Sequence, residues 1–345
     1  MKPPKVSLVI LNWNGWRDTI ACLESICQIE YPNCEIILVD NGSTDDSLLK
    51  IREYADGILQ AESPFYNYCH GKKPITTTEY TKEEVDSILG MNGAFLTPKE
   101  QLLVIKNDHN YGFAEGNNIG IRVALARESS YVLLLNNDVI VHPSFLTELV
   151  LAAERDERVG FAGPKVYFCD YSGRPDVINF AGGSFSLWTG SARHIGLRKI
   201  DHGQFNDAKL VDFLDGSCIL ARRETILETG PLKADYFTYW EDVEWCLRGA
   251  RSGYKSAYVP SAKIWHKVGA SKKEKSSRAY YYYARNLLWL AKENASMLQL
   301  AFFISFFLTI TIWTEIGISI VFHRSVKQAL SFLKGTIDGL RARSS

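Results

Sequence analysis

Short apolar runs alternate with helically spaced segments through the first 140 residues. Val6–Leu11, Glu35–Val39, Leu102–Ile105 and Tyr131–Leu135 have strand length and little internal polarity, and helical patterns separate most of them. After the first run, Ile20, Leu23, Ile26 and Cys27 recur at 3/4 spacing behind Asp18 or Thr19 as a cap. The second helix is expected to open at Ser43-Thr44-Asp45-Asp46, where acids complement the positive end of the helix dipole. The alternation predicts βαβ units in a mainly parallel sheet. Between Gln60 and Gln101 the regular beat is lost. There Thr81-Lys82-Glu83-Glu84 forms a capping box ahead of Val85, Ile88 and Leu89, so the stretch reads as an insertion carrying one short helix.

Beyond Leu149 short aromatic runs sit between Gly/Ser turns, Ala181-Gly182-Gly183-Ser184 and Thr189-Gly190-Ser191, which predicts an antiparallel extension. Val243, Cys246, Leu247 and Ala250 then mark one face of a helix starting at Glu241-Asp242 and ending near Gly253. A basic, Tyr-rich segment from Lys272 to Lys292 leads to Gln299–Phe322, 24 residues with the single charge Glu315. That stretch is long enough to cross a bilayer core, and its phenylalanines leave no continuous polar face. Basic residues flank it on both sides, Lys272, Lys273, Lys275, Arg278, Arg285 and Lys292 before it and Arg324, Lys327, Lys334, Arg341 and Arg343 after it. Both flanks are therefore expected on the cytoplasmic side, which a re-entrant or in-plane helix satisfies and a single span does not.

Composition narrows the function. At 345 residues, 46% hydrophobic and 23% charged, the chain can bury a sizeable core. Its 39 basic and 39 acidic residues balance, so no global basic field points to nucleic acid. Seven cysteines form no C-x-x-C pair, which fits a reducing compartment better than a disulfide framework or zinc site. The N-terminus enters the first strand without the apolar segment of a signal peptide, and the catalytic part is expected in the cytoplasm.

Ligands of open parallel sheets bind beyond the carboxyl ends of the strands. Here those ends are polar in all four cases: Asn12-Trp13-Asn14, Asp40-Asn41-Gly42-Ser43, Asn107-Asp108 with Asn110-Tyr111-Gly112 beyond it, and Asn136-Asn137-Asp138. Any one of them could be ordinary turn chemistry, but four converge on one crevice. The first strand lacks G-x-G-x-x-G and no G-x-x-x-x-G-K-[ST] occurs, which excludes dinucleotide and P-loop readings. A site built on carboxylates remains, with Asp40 accepting from a ribose or base and Asp138 holding a divalent cation against a diphosphate.

The chain resembles the inverting, family 2-type nucleotide-sugar glycosyltransferases of the GT-A fold, in particular their rhamnosyltransferase-like branch. The resemblance spans roughly Val6 to Asn286, apart from the insertion. It rests on Val-Ile-Leu-Asn-Trp-Asn-Gly (9–15), Val-Asp-Asn-Gly-Ser-Thr-Asp (39–45), Asn-Tyr-Gly-Phe-Ala-Glu-Gly-Asn-Asn (110–118) and Leu-Leu-Asn-Asn-Asp-Val (134–139). It continues through Asp-Gly-Ser-Cys-Ile-Leu-Ala-Arg-Arg (215–223), Tyr-Trp-Glu-Asp-Val-Glu-Trp-Cys-Leu-Arg (239–248) and His266-x-x-Gly269-x-Ser271. The resemblance implies a GT-A α/β domain over 1–271. Within it a nucleotide-sugar-binding half (5–140, with the insertion at 60–101) is followed by an acceptor-side half (141–271). A basic linker helix (272–297) and a membrane-associated tail (298–345) are expected after it.

The same resemblance implies roles. Asp242 would be the general base, Asp138 and His266 the ligands of Mg²⁺ or Mn²⁺, and Asn12, Asn14, Asp40, Gly42, Asn110, Gly112, Asn117, Asn136, Asp215 and Glu241 substrate-binding residues. Two departures stand out. Asn136-Asn137-Asp138 carries one carboxylate instead of two, and Gly230-Pro231-Leu232-Lys233-Ala234 replaces an acidic turn. The reading is therefore an inverting transferase at the cytoplasmic face of the cell membrane. It would take a dTDP-rhamnose-like or UDP-sugar donor to a lipid-linked or cell-surface glycan, with membrane contact through 299–322 and no nucleic-acid partner. The alternatives are a sugar-1-phosphate nucleotidyltransferase, whose Gly-rich basic phosphate loop Asn12–Arg17 does not match, and an inactive nucleotide-sugar-binding scaffold, which would not need Asp138 and Asp242.

Overall fold

The computed structural model describes residues 2–90, 102–267 and 277–341. Part of the insertion (91–101), the Gly269 and Ser271 of the last motif and the basic residues Lys272, Lys273 and Lys275 lie outside the described residues, as does Arg343.

The four apolar runs are strands β1 (Val6–Asn12), β2 (Cys34–Asp40), β4 (Leu102–Lys106) and β5 (Tyr131–Asn136). They lie parallel and their interiors are buried on both faces, which is why they read as near-continuous apolar runs. One strand was not legible: β3 (Thr77–Thr81), within the insertion, adds itself parallel to β4 at the sheet edge. Its sequence Thr-Thr-Glu-Tyr-Thr is half-buried throughout, so it carries no apolar run to announce it. The insertion is held by the buried Glu24, whose carboxylate accepts from Cys69 N (2.6 Å) and Tyr54 Oη (2.7 Å) and pairs with Lys73 Nζ (3.1 Å).

The sheet continues past β5 with reversed directions. Beyond β6 (Val139–Val141) the chain adds β7 (Val159–Phe168), β8 (Ile178–Phe180), the hairpin β9 (Gly183–Ser186) and β10 (Ser191–His194), then β11 (Lys209–Val211), β12 (Cys218–Arg222) and β13 (Lys255–His266). The order across the sheet is β11-β13-β7-β12-β5-β1-β2-β4-β3. β12 runs antiparallel to both β5 and β7, β7 and β13 are parallel, and β6 pairs with the end of β13. The β6 pairing, Val139 opposite His266, brings the strand-end cluster at 136–138 beside the end of β13.

Helices α1 (Trp16–Ile26), α2 (Ser47–Ala55), α3 (Lys82–Gly90), α4 (Gly112–Ala126), α5 (Phe145–Glu154), α6 (Arg223–Thr229), α7 (Glu241–Arg251) and α8 (Ser277–Asn294) cover the sheet. Two helix starts differ from expectation. The cap of α1 is Gly15 and not Asp18 or Thr19, because Thr19 turns its hydroxyl to Asn12 Oδ1 (2.8 Å). α2 opens at Ser47, since the acids before it serve the turn that follows β2. The capping box of α3 forms in full, with Thr81 N donating to Glu84 Oε2 (2.7 Å) and Glu84 N to Thr81 Oγ1 (3.2 Å).

The segment expected as a linker is a packed element. Ala284, Leu287, Leu288, Leu290 and Ala291 of α8 are within a few per cent of fully buried and belong to the main core. After α8 one apolar helix runs over Met297–Phe322 with a mean hydropathy of 1.8. Phe303 and Phe307 anchor it in the core, but most of its surface is free. A last helix, Val326–Arg341, packs along α8.

Candidate functional site

The register puts Asn12 opposite Asp40 and Leu11 opposite Asn136, so the polar strand ends form one rim. At its centre the polar groups bind one another. Asp40, 1% exposed, accepts at Oδ1 from Asn12 Nδ2 (2.7 Å) and Ser43 Oγ (2.6 Å) and at Oδ2 from Ser43 N (3.1 Å). Asn14 Oδ1 holds the Thr44 and Asp45 amides at 2.7 and 3.2 Å. Gly42 has φ +71° and its missing Cβ would lie 2.6 Å from the His109 backbone. Asn117 Nδ2 donates to Phe113 O (2.9 Å) inside α4. Thus Asn12, Asn14, Asp40, Gly42 and Asn117 shape the rim from within, and neither adjoining cavity is lined by them.

Two cavities share the wall Phe113, Thr238 and Tyr239. The first, about 590 Å³, is lined by Trp13, Asn41, Asn110, Gly112, Asn137, Phe237, Arg278 and Tyr282 among others. Asn110 Oδ1 accepts from Gly112 N (2.7 Å), and Asn41 Nδ2 donates to Gly112 O (3.0 Å). Gly112 has φ +85°, and a Cβ there would sit 2.5 Å from the Phe237 ring, so only glycine fits. The second cavity, about 580 Å³, brings together Asn136, Asp215, Glu241, Asp242 and His266, with Gly216, Ser217 and His194.

The carboxylates of the second cavity come from the loop before β12 and the first turn of α7. Asp242 Oδ2 accepts from Gly216 N (3.0 Å) and Oδ1 from Val243 N (2.8 Å). Glu241 is buried and its Oε2 has no hydrogen-bond partner among the described residues. Burial, followed by the neighbouring Asp242 charge, pushes the Glu241 carboxyl well above the usual range. Burial and then the Asp215 charge push Asp242 up as well. Against the cavity wall, His266 Nε2 lies 3.1 Å from Asp138 Oδ1. Burial works against the charged imidazole, but the Asp138 carboxylate more than offsets it and the net shift of His266 is upward. Burial likewise raises Asp138, yet His266 and Lys267 outweigh it and hold the carboxyl below its ordinary range. No cluster of three or more His, Cys, Asp or Glu that could hold a metal is found among the described residues. Asp138 and His266 thus supply two donors, which suits an ion completed by phosphate oxygens and water.

The turn that delivers Glu241 and Asp242 is strained. Phe237, Tyr239 and Trp240 have φ of 62°, 70° and 74°, a region that costs a non-glycine residue about 1 kcal/mol or more. α8 clamps it. Asn286 Nδ2, fully buried, donates to the carbonyls of Tyr236 (2.8 Å), Thr238 (2.8 Å) and Tyr239 (2.9 Å). Arg285 Nε holds Asn286 Oδ1 (2.9 Å) while its Nη2 reaches Asp235 O (2.5 Å). Trp240 Nε1 donates to Tyr283 O (3.1 Å). On the other side Phe237 O receives Phe113 N (2.6 Å) at the start of α4, so one turn joins both cavities. Sequence reasoning missed Arg278, Tyr282, Tyr283 and Asn286, all on α8; a helix read as a linker gave no reason to look there.

Comparison with known proteins places this geometry. The family model described as "Glycosyl transferase family 2" matches residues 7–73, and the one described as "Glycosyltransferase like family 2" matches residues 84–283. The N-acetylglucosaminyl-diphospho-decaprenol L-rhamnosyltransferase of Mycobacterium tuberculosis is 27% identical over 218 residues, covering 57% of this chain and 69% of that protein. The Escherichia coli rhamnosyltransferase WbbL is 26% identical over 198 residues, 53% of this chain and 72% of its own length. Among solved structures, Staphylococcus aureus TarS 1–349 in complex with UDP-GlcNAc superposes with a TM-score of 0.54 at 14% identity, covering 98% of this chain and 81% of that one. The mannosyltransferase PcManGT of Pyrobaculum calidifontis, in complex with GDP-Man and Mn²⁺, does so with a TM-score of 0.54 at 13% identity over 99% and 88%. The fold is GT-A. With more than half of its residues matched by one family model, the chain belongs to glycosyltransferase family 2.

Proposed function

We propose that this chain moves a sugar, with inversion, from a nucleotide-diphosphate donor of the dTDP-rhamnose or UDP-sugar type to a lipid-linked or cell-surface glycan at the cytoplasmic face of a membrane. The observation that carries the reading is one cavity lined by the buried Glu241, the half-buried Asp242 and the imidazole of the Asp138–His266 pair. Asp242 takes the proton of the acceptor hydroxyl, the acceptor oxygen bonds to C1 of the sugar, and the C1–O bond breaks with its electrons going to the departing diphosphate. The amides of Gly216 and Val243 fix the Asp242 carboxylate for that step. Its raised proton affinity makes it a stronger base than an exposed aspartate. The unpartnered Glu241 Oε2 is placed to accept from a sugar hydroxyl.

In this reading the adjoining cavity takes the nucleoside between Trp13 and Tyr282, with Asn110 and Gly112 at its edge. Asp40 does not touch it; through Asn12 and Ser43 it keeps the rim in shape. Asp138 and His266 would hold Mg²⁺ or Mn²⁺, which when bound neutralises the charge gathering on the leaving diphosphate. The membrane side of the reading is supported by the Met297–Phe322 helix, of which only 17% of the most apolar window is buried. A panel of thymidine, uridine and guanosine diphosphate sugars, scored for nucleoside diphosphate release with and without a lipid-linked acceptor, tests the proposal. One donor should turn over in an acceptor-dependent way, EDTA should stop it, and added Mn²⁺ or Mg²⁺ should restore it. Release from none of them removes the proposed substrate class, and full turnover in EDTA removes the metal.

A further inference from the structure

The helix Val326–Arg341 carries two opposed faces. Gln328, Ala329, Phe332, Gly335, Thr336 and Gly339 are buried, and the glycines let its backbone approach α8 at Tyr281 and Arg285. The opposite face is apolar and bare: Val326 is 62% exposed, Leu330 60%, Ile337 46% and Leu340 37%, with half-buried Leu333 completing a stripe of 4-3-4-3 spacing. A helix that already has a full packing face has no internal use for a second one. Beside each third of the stripe stands a cation, Lys327, Lys334 and Arg341, at intervals of seven residues. All three are exposed and none is in an ion pair among the described residues. The row therefore sets three exposed cations along an apolar edge; Lys334 lies over the Tyr281 ring at 5.8 Å, and the acid among them, Asp338, accepts from Tyr281 Oη (2.9 Å).

We propose that this stripe is a docking face for an anionic lipid surface, with the helix lying in the plane of the interface. An apolar stripe sinks into the acyl boundary while a row of Lys and Arg beside it meets the headgroup phosphates. A second copy of the chain offers no such match, because the cation row would face its own like charge. Neighbouring elements carry other bare apolar groups. The preceding helix exposes Phe302, Trp313, Val321 and Phe322, and packs on the last one through Phe307 against Phe332. The β9–β10 hairpin joins it at Trp188, 42% exposed and edge-on to Phe302 at 5.6 Å. The other end of that hairpin, Ala192 and His194, lines the second cavity, so the same element touches both the apolar surface and the proposed acceptor side.

This inference rests on the membrane location proposed above, and the experiment separates the two. Flotation of the full chain is measured with vesicles of phosphatidylcholine alone and with about one-third phosphatidylglycerol, at low and high salt, for the wild type and for Lys327→Glu/Lys334→Glu/Arg341→Glu. The wild type should partition roughly 100-fold more strongly onto the anionic vesicles at low salt, from three cations at about 1 kcal/mol each. High salt and the charge reversal should each abolish that preference, while circular dichroism and the thermal melt stay unchanged. Leu330→Asp/Ile337→Asp should weaken partition onto both vesicle types. An anionic preference that survives the charge reversal overturns the inference and leaves the membrane location standing. Failure of the wild type to float with either vesicle overturns both. A dimer in solution that Ile337→Asp dissociates, with vesicle binding unaltered, overturns the inference in favour of a second copy.

Discussion

The strand-end rim and the α7 cavity hold the same kinds of side chain, hydrogen-bonded to very different degrees. At the rim, the buried Asp40 has Asn12 and Ser43 on its two oxygens, Asn14 Oδ1 accepts from the Thr44 and Asp45 amides, and Asn110 Oδ1 accepts from Gly112 N and Asn41 Nδ2. In the cavity, Glu241 has an oxygen with no partner, and it and Asp242 are pushed toward their protonated forms. A satisfied buried carboxylate fixes a loop in place. Carboxylates buried beside like charge instead hold a raised proton affinity, which is what a general base at neutral pH needs. Polarity alone does not mark the chemistry; how fully each group is satisfied does.

The sharpest way to break this comparison is Asp242→Asn. Loss of the base should lower kcat by about 10³-fold while donor affinity changes no more than a few-fold, because the base acts in the transition state. Donor titration beside turnover measurements checks it, and near-normal turnover would transfer the role to Glu241. Asn286→Ala comes next. It removes the donors holding three carbonyls of the strained turn, at a stability cost of about 2–3 kcal/mol. As a positioning residue it should also lower kcat roughly 10-fold with donor KM nearly unchanged, whereas a merely structural role would lower the melting temperature and spare kcat. The smallest effect is expected from Glu241→Gln on stability. A carboxyl raised in the fold binds protons more tightly there than in the unfolded chain, so its ionisation destabilises the fold as pH rises above the ordinary glutamate range. The variant should thus melt roughly 2–4 °C higher than wild type near pH 7.5, and the gain should vanish at pH 4. A melt lowered at both pH values would contradict the account.

The parallel half of the fold was legible because doubly covered strands show as uninterrupted apolar runs, and the α7 face and the α3 capping box follow from local spacing alone. β3 was hidden, since an edge strand of Thr, Glu and Tyr buries no continuous face. The packing of α8, expected as a linker helix, was hidden for another reason: Ala284, Leu287 and Leu288, set between its tyrosines and cations, reach the core. The proposed roles in the cavity came from motif order, and the geometry places Asn136, Asp215, Glu241, Asp242 and His266 together. Neither motif nor spacing could reveal that Asn286 clamps the turn at 236–239, because nothing in a sequence ties an asparagine to carbonyls almost fifty residues earlier. In the last helix Gly335 and Gly339 serve close approach to α8, a role that a glycine in a helix does not announce from sequence.

The pH profile of kcat, for the wild type and for Asp215→Asn, tests most directly that Asp242 carries the proton transfer. The base must be ionised to act, so kcat should fall with decreasing pH along a limb lying above the ordinary aspartate range of about 4. Removing the Asp215 charge should move that limb to lower pH, since burial and then that charge raise the Asp242 carboxyl. A wild-type profile flat from pH 5 to 8, or a limb that Asp215→Asn leaves in place, would contradict the assignment of the base to Asp242.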